Sequence, residues 1–364
     1  MPKLLVKIAI LICITILPLA LINFIIDPLQ CFRVAHWYKP LYDPNERVQS
    51  ACLARSHPYN SIILGASHVQ NFDPEFINQS FNFSTLKLTL AGSTLYEQNK
   101  LLALAIKTGK VRNVIWGLDT NLLFDNPRRT RDDVSPLPEY IYKPSFFNDI
   151  IFLLDPYIIK HYVKMAAHTL IGVYDEYTSL RDLNNWGKKF TFSRARVLKY
   201  YAAVKTGRLK AMENSNLSLR PNSPDNVLRE NIDENLLKVV RENPQVHFYI
   251  FFPPYTILRF ADLYQSDRQM FAAERSLKSY LIHSLSGLKN VEIFDFQDVK
   301  EITHNFDNYK DFSHFSSSVD RYIIESLKSG RHRIKPGEED KSLDRLRGQI
   351  ESFDLDQLGR SQEL

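Results

Sequence analysis

The chain has 364 residues, of which 44% are hydrophobic and 24% are charged, and its formal net charge is +5. This balance is typical of a globular protein and excludes a disordered chain and a membrane protein with many spans. The basic residues are scattered, without a run of five, which argues against a nucleic-acid partner. Only 12 glycines are present, and neither phosphate-binding glycine motif occurs, so we expect no nucleotide and no other cofactor.

The N-terminus predicts a single membrane anchor. Residues 8–26 carry no charge, and as a helix they would span about 29 Å, close to the ~30 Å hydrocarbon core of a bilayer. Lys3 and Lys7 precede this stretch, so the positive-inside rule leaves the N-terminus in the cytoplasm and the rest of the chain outside it. The alternatives are a cleaved signal peptide, although no small-x-small cleavage site follows, and a buried helix.

Two cysteines follow the apolar stretch. Cys31 and Cys52 would lie in an oxidising compartment, where a disulfide between them would join a neck segment to the body of the protein. The alternative is a pair of free or buried thiols.

The elements that follow alternate between strand and helix. Short apolar runs predict strands at 61–64, 86–90, 113–118, 246–252 and 291–296. The segments between them predict helices, among them 95–108, 225–242, 267–285 and 316–327. This order predicts an α/β fold with parallel strands and helices on both faces of the sheet.

The domain organisation follows from these elements. Residues 125–225 are rich in Tyr, Phe, Arg and Lys and predict a largely helical insertion that caps a cleft. We expect the remaining boundaries to be an anchor at 1–27, a neck at 28–57, an α/β domain at 58–330 and a polar tail, solvated or loosely docked, at 331–364.

A serine follows the first predicted strand, in Gly65-Ala66-Ser67-His68. Ligand sites collect at the carboxyl edge of a parallel sheet, and the start of a helix favours developing negative charge. Ser67 is therefore a candidate nucleophile, and His68 beside it a candidate substrate-binding residue. The alternative is an ordinary N-cap serine.

An aspartate precedes a histidine by three residues between the last strand and the last helix. Asp311 at this spacing can hold the imidazole of His314 by a hydrogen bond, so that His314 becomes an oriented base. The alternative is an Asp N-cap with a histidine that faces solvent.

Two further loops offer oxyanion donors. Gly92 follows the second strand and can offer a backbone N–H, and Asn121 follows the third strand and can offer a side-chain amide. The alternatives are a turn glycine and a capping side chain. No histidine pair has metal-ligand spacing, so we expect no metal site; a cation held by Asp307 and Asp311 is the alternative.

The sequence resembles the SGNH hydrolase superfamily over about 58–330. The resemblance lies in the order of four features along the chain: Ser67, Gly92, a polar residue after the third strand and the Asp311-x-x-His314 motif. The likeness is to its membrane-anchored, extracytoplasmic proteins, which include those of teichoic-acid D-alanylation and alginate O-acetylation. The sequence departs from the family in having Gly-Ala-Ser for Gly-Asp-Ser, and Gly-Leu-Asp-Thr-Asn for Gly-x-Asn-Asp.

The resemblance implies a three-layer, flavodoxin-like fold with Ser67 as nucleophile, His314 as base and Asp311 as its orienting acid. It also implies acyl transfer or ester hydrolysis on a cell-envelope glycan, outside the inner membrane of a bacterium. The first alternative is a non-catalytic glycan-binding or assembly protein that partners a membrane O-acyltransferase or a polysaccharide export complex. The second is an unrelated, membrane-tethered α/β domain.

Overall fold

The computed structural model describes residues 2–172, 179–207 and 225–355. Within these ranges the strands are β1 (Ser61–Gly65), β2 (Thr85–Thr89), β3 (Asn113–Gly117), β4 (His247–Phe252) and β5 (Val291–Asp295). The helices before β4 are α1 (Pro2–Ile26), α2 (Glu46–Ser56), α3 (Pro74–Phe81), α4 (Leu95–Lys107), α5 (Glu139–Tyr142), α6 (Phe146–Leu154), α7 (Pro156–Ile171), α8 (Arg194–Lys205), α9 (Asp225–Ile232) and α10 (Lys238–Glu242). The helices after β4 are α11 (Ile257–Ser266), α12 (Arg268–Leu285), α13 (Lys300–Thr303), α14 (Ser317–Ser329) and α15 (Lys341–Glu351).

The described strands form one parallel sheet in the order β2-β1-β3-β4-β5. The predicted α/β class and the parallel pairing are therefore confirmed. Strand β1 lies between β2 and β3, so the loops that follow these three strands meet at one edge of the sheet.

Helices cover both faces of the sheet. Along β1, Ile62 and Leu64 point into one core and Ile63 points into the other, because successive side chains of a strand alternate between faces. The first core is completed by α2, α4, α9, α10 and α12, and the second by α3, α8, α11, α14 and α15. Each large apolar side chain that is fully buried contributes ~1.5–3 kcal/mol, and the two cores together hold a three-layer domain.

The N-terminal segment forms helix α1. It lies along α6, where Asn23 Nδ2 donates a hydrogen bond of 2.8 Å to the carbonyl of Leu153. Within the part of the chain that the structure describes, no helix has the length and hydropathy to cross a membrane. The membrane anchor therefore stays a prediction.

The segment predicted as a neck belongs to the α/β domain. Helix α2 packs on β2 and α4, and nine of its eleven residues are buried. A disulfide joins Cys31 to Cys52 of this helix. The sequence did not indicate this packing because buried positions of α2 include the charged residues Glu46 and Arg47.

The described part of the insertion contains helices α5, α6, α7 and α8, while residues 125–138 and 179–193 contain no α-helix. The insertion contacts two parts of the protein. Helices α6 and α7 lie against α1, while residues 181–192 cover the edge of the sheet that carries Ser67. Residues 173–178 and 208–224 of the predicted insertion lie outside the described part of the chain.

The tail is docked, which corrects the prediction of a solvated or loosely docked extension. The Ile334 N–H donates to the Ile293 carbonyl at 2.8 Å and so extends the edge of the sheet. The apolar stripe Leu343, Leu346 and Ile350 of α15 is buried. The correction holds to residue 355, and residues 356–364 lie outside the described part.

Candidate active site

Two paired glycines set the position of Ser67. Gly65 ends β1 with φ at +153°, and a Cβ atom there would lie 2.9 Å from both the Gly117 carbonyl oxygen and Val69 Cγ2. A Cβ atom on Gly117, its partner on β3, would lie 2.6 Å from Val69 Cγ1. The absence of both side chains lets the short 3₁₀ turn Ser67–Val69 fold onto the sheet edge. Ser67 is half-buried there.

The nucleophile and the base predicted from the sequence meet. Ser67 Oγ lies 2.9 Å from His314 Nε2, although the two residues are 247 positions apart. On the other side of the ring, His314 Nδ1 lies 2.9 Å from Asp311 Oδ2 and 3.0 Å from Oδ1. The structure thus brings Ser67, His314 and Asp311 into one hydrogen-bonded chain.

Asp311 is held in its ionised form. Burial alone would raise its pKa, but the neighbouring His314 ring and the backbone N–H groups of His314 and Ser313, which donate at 2.9 and 3.0 Å, outweigh burial and lower the pKa. An ionised carboxylate only accepts hydrogen bonds. The proton of neutral His314 therefore resides on Nδ1, and Nε2 presents its lone pair to Ser67.

His68 stacks on one face of the His314 ring. Its ring stacks on His314 at 4.8 Å between centroids and 14° between planes. Its Nδ1 lies 3.4 Å from Asp119 Oδ2, and neither ring nitrogen has a hydrogen-bond partner in the described part of the chain. Burial lowers the pKa of His68 to about 4, although the Asp119 carboxylate opposes this. His68 is therefore uncharged at neutral pH.

Trp186 was not singled out by the sequence. Its indole Nε1 donates a hydrogen bond of 3.0 Å to the Ser67 carbonyl, and its ring meets His314 edge-on at 5.1 Å. Lys310 Nζ lies 4.2 Å from the centre of the same ring. Residues 181–192 thus place an aromatic cover over the Ser–His pair. The predicted cap pointed to this region, but no periodic pattern distinguishes Trp186.

Gly92 and Asn121 occupy the loops after β2 and β3. Gly92 has φ at +59°, and its carbonyl accepts a hydrogen bond from Arg131 at 3.1 Å. Asn121 Oδ1 accepts one from Arg259 at 3.1 Å. No hydrogen bond among the described residues links either of them to Ser67, so their roles as oxyanion donors stay predictions.

Glu46 of α2 joins the loops around the site. Its carboxylate accepts hydrogen bonds from the Ala91 N–H and the Thr89 hydroxyl, which precede Gly92. It also accepts from Gln70 at 2.8 Å and from Asn184 at 3.1 Å. One buried carboxylate therefore holds the loop of Gly92, the loop of Ser67 and the cover together.

The alternative of a cation between Asp307 and Asp311 is not supported by their contacts. Asp307 Oδ1 accepts the Arg194 N–H at 2.7 Å, while the Asp311 carboxylate faces His314. The described residues contain no group of three or more His, Cys, Asp or Glu side chains that could hold a metal ion.

No family model matches the sequence, and no curated protein matches it. The chemistry of the chain is therefore inferred from the geometry of the site.

Proposed function

We propose that the chain is an SGNH-like serine acyltransferase or esterase that acts on a cell-envelope glycan. The observation that supports this most directly is the chain of hydrogen bonds from Ser67 Oγ through His314 to Asp311, with each distance at 2.9–3.0 Å. Nucleophile and base must lie within hydrogen-bond reach of each other, and the base must be oriented by a third group.

In the proposed reaction, Ser67 Oγ attacks the carbonyl carbon of an ester while His314 Nε2 takes the hydroxyl proton. The imidazolium, stabilised by Asp311, then gives that proton to the departing alcohol, and an acyl-serine forms. A sugar hydroxyl, or water, next loses its proton to His314 and attacks the acyl-serine. Ser67 recovers its proton, and the acyl group leaves on the acceptor.

The negative charge on the carbonyl oxygen needs hydrogen-bond donors. We assign this role to the backbone N–H groups of Ser67 and Gly92 and to the side-chain amide of Asn121. Each such donor is typically worth ~3–4 kcal/mol. The position of all three on neighbouring loops at one edge of the sheet supports the assignment.

We also propose that α1 anchors the protein in the inner membrane of a bacterium, with the α/β domain in the periplasm or outside the cell. The support is the charge-free stretch 8–26 and the exposure of its large side chains, such as Leu17 at 64% and Leu21 at 58%. A membrane O-acyltransferase is the partner that would deliver the acyl group in this arrangement.

One observation favours the alternative of a non-catalytic glycan-binding or assembly protein. The Trp186 ring lies against His314 and narrows the approach to the Ser–His pair.

Labelling of the active serine distinguishes the two functions. The full chain in detergent is treated with a fluorophosphonate probe and with p-nitrophenyl acetate, beside Ser67→Ala, His314→Ala and the exposed-serine control Ser318→Ala. Catalysis predicts labelling and ester turnover that are lost in the first two variants and kept in the third. A folded wild-type protein that neither labels nor turns over the ester would reject it and leave the assembly alternative.

A further inference from the structure

A cavity of about 420 Å³ lies between α3, residues 181–192 and α14. Its volume is within the ~300–1,000 Å³ typical of small-molecule sites. Gly187 forms part of its wall and directly follows Trp186, the residue that covers Ser67 and His314. The cavity and the Ser–His pair therefore share one segment of the cover.

Two buried polar side chains in the wall have unused hydrogen-bonding capacity. Asn71 Oδ1 accepts the Gly187 N–H at 2.9 Å, but Asn71 Nδ2 has no partner among the described residues. Asp320, only 4% exposed, has no partner for either carboxyl oxygen in the same part of the chain. A buried polar atom without a partner costs about 1–3 kcal/mol, and native proteins rarely leave one so. Both residues line the cavity, and a ligand that reached these enclosed atoms would supply the missing donors and acceptors.

The charges at the rim are largely neutralised within the protein. Arg181 pairs with Asp73 at 2.7 Å, and Lys188 pairs with Asp182 at 2.6 Å. Arg321, the third cation of the wall, lies over the Phe76 ring at 4.4 Å. This arrangement favours an uncharged ligand over an ionic one.

The pKa of Asp320 also favours an uncharged ligand. Burial raises its pKa well above the ordinary value, and the charge of Lys87 opposes burial only in part. A carboxyl group that keeps its proton both donates and accepts hydrogen bonds. Hydroxyl groups, which also do both, match it. Phe192 adds an apolar ring to the wall, against which a flat sugar face can pack.

We propose that this cavity is a subsite for one ring of an uncharged saccharide, bound through Asp320 and Asn71 with Phe192 alongside. Its role as a substrate subsite, next to the ester that Ser67 attacks, rests on the proposed function; the binding of a sugar does not.

The test is a titration of the full chain in detergent, followed by saturation-transfer NMR, with cellobiose and N,N′-diacetylchitobiose as probes. The Ser67→Ala variant serves as the parent protein so that no ester chemistry intervenes. We expect millimolar binding that weakens about tenfold in Asp320→Ala and in Phe192→Ala, a loss of ~1.4 kcal/mol. Lys188→Gln, at the rim of the same cavity, is the matched control and should stay within about twofold of the parent.

Phe192→Ala removes a partly exposed side chain, so it tests the cavity even where Asp320→Ala fails to fold. Absence of binding by both disaccharides, or binding unchanged in Phe192→Ala and in any folded Asp320→Ala, would overturn the proposal. Fluorophosphonate labelling of wild-type Ser67 is measured in parallel. Labelling without sugar binding overturns the subsite alone, whereas sugar binding without labelling overturns catalysis and retains the subsite.

Discussion

Replacing Asp311 with asparagine should abolish the basicity of His314 toward Ser67 while leaving the loop folded. The new amide oxygen can still accept the backbone N–H groups of Ser313 and His314, now at 3.0 and 2.9 Å from Asp311 Oδ1. Its NH₂ group, however, would take the place of Oδ2, which lies 2.9 Å from His314 Nδ1. A donor at this position opposes an Nδ1–H and favours Nδ1 as an acceptor, while the amide oxygen at 3.0 Å keeps one acceptor near the ring. We therefore expect the ring proton to shift towards Nε2, where it faces the serine hydroxyl.

The same change in serine-protease triads lowers kcat by ~10⁴ through the wrong tautomer. We expect the second-order rate of fluorophosphonate labelling in Asp311→Asn to fall ~10³–10⁴-fold at pH 7. The matched control is Asp307→Asn, a neighbouring aspartate whose carboxylate holds the Arg194 N–H instead. It should label within about threefold of wild type. If Asp311→Asn labels within tenfold of wild type, the inferred tautomer of His314 is refuted.

Three predictions concern stability and are checked by urea unfolding. In Glu46→Gln the new NH₂ group faces hydrogen-bond donors that the Glu46 carboxylate accepts in wild type. We therefore expect the free energy of unfolding to fall by about 2–4 kcal/mol. The double change Cys31→Ser and Cys52→Ser removes a cross-link between residues 21 positions apart and should cost about 3 kcal/mol, most of it entropy of the unfolded chain. Burial, helped by the charge of Lys110, lowers the pKa of His57 to about 4. The unfolded chain therefore binds one more proton than the folded chain between pH 6.5 and 4, and this group removes up to about 3 kcal/mol of stability as the pH falls through that window.

Each of these has a control. Glu75 of α3 is exposed and pairs with Arg181, so Glu75→Gln should change the free energy of unfolding by less than about 1 kcal/mol. Equal effects at Glu46 and Glu75 would argue against a stabilising role for the buried hydrogen bonds of Glu46. Reductant should destabilise wild type but leave the double serine variant unchanged. His57→Gln should flatten the decline between pH 6.5 and 4, and a curve parallel to that of wild type would show that His57 does not titrate in this window.

The sheet was predictable because its strands are short apolar runs, and β1, β3 and β4 end at a glycine or directly before a proline. The run 61–64 matches β1 (Ser61–Gly65), and 113–118 exceeds β3 (Asn113–Gly117) by one residue. The meeting of Ser67 and His314 could be expected from the same pattern, because residues that follow parallel strands gather at one edge.

The role of α2 was not predictable from local pattern. Its sequence carries Glu46, Arg47 and Gln49 on buried positions, and their partners lie far along the chain, at Glu97 for Arg47 and at Leu29 for Gln49. When the partners of a buried charged residue are distant in sequence, the local sequence pattern predicts that this residue lies on the surface. Trp186 was missed for a related reason, since its partners Ser67 and His314 come from two other segments.

The separation of 247 residues between Ser67 and His314 also has a consequence for synthesis of the chain. When the ribosome has synthesised the chain up to β5, Ser67 is already present but His314 has not yet been added. The hydroxyl at this stage has no base and is as inert as any surface serine. Long-range pairings of this kind form late in folding, so reactivity toward a fluorophosphonate would report that β1 and β5 have joined one sheet. A fluorophosphonate added during translation would then label Ser67 in completed molecules but not in nascent chains.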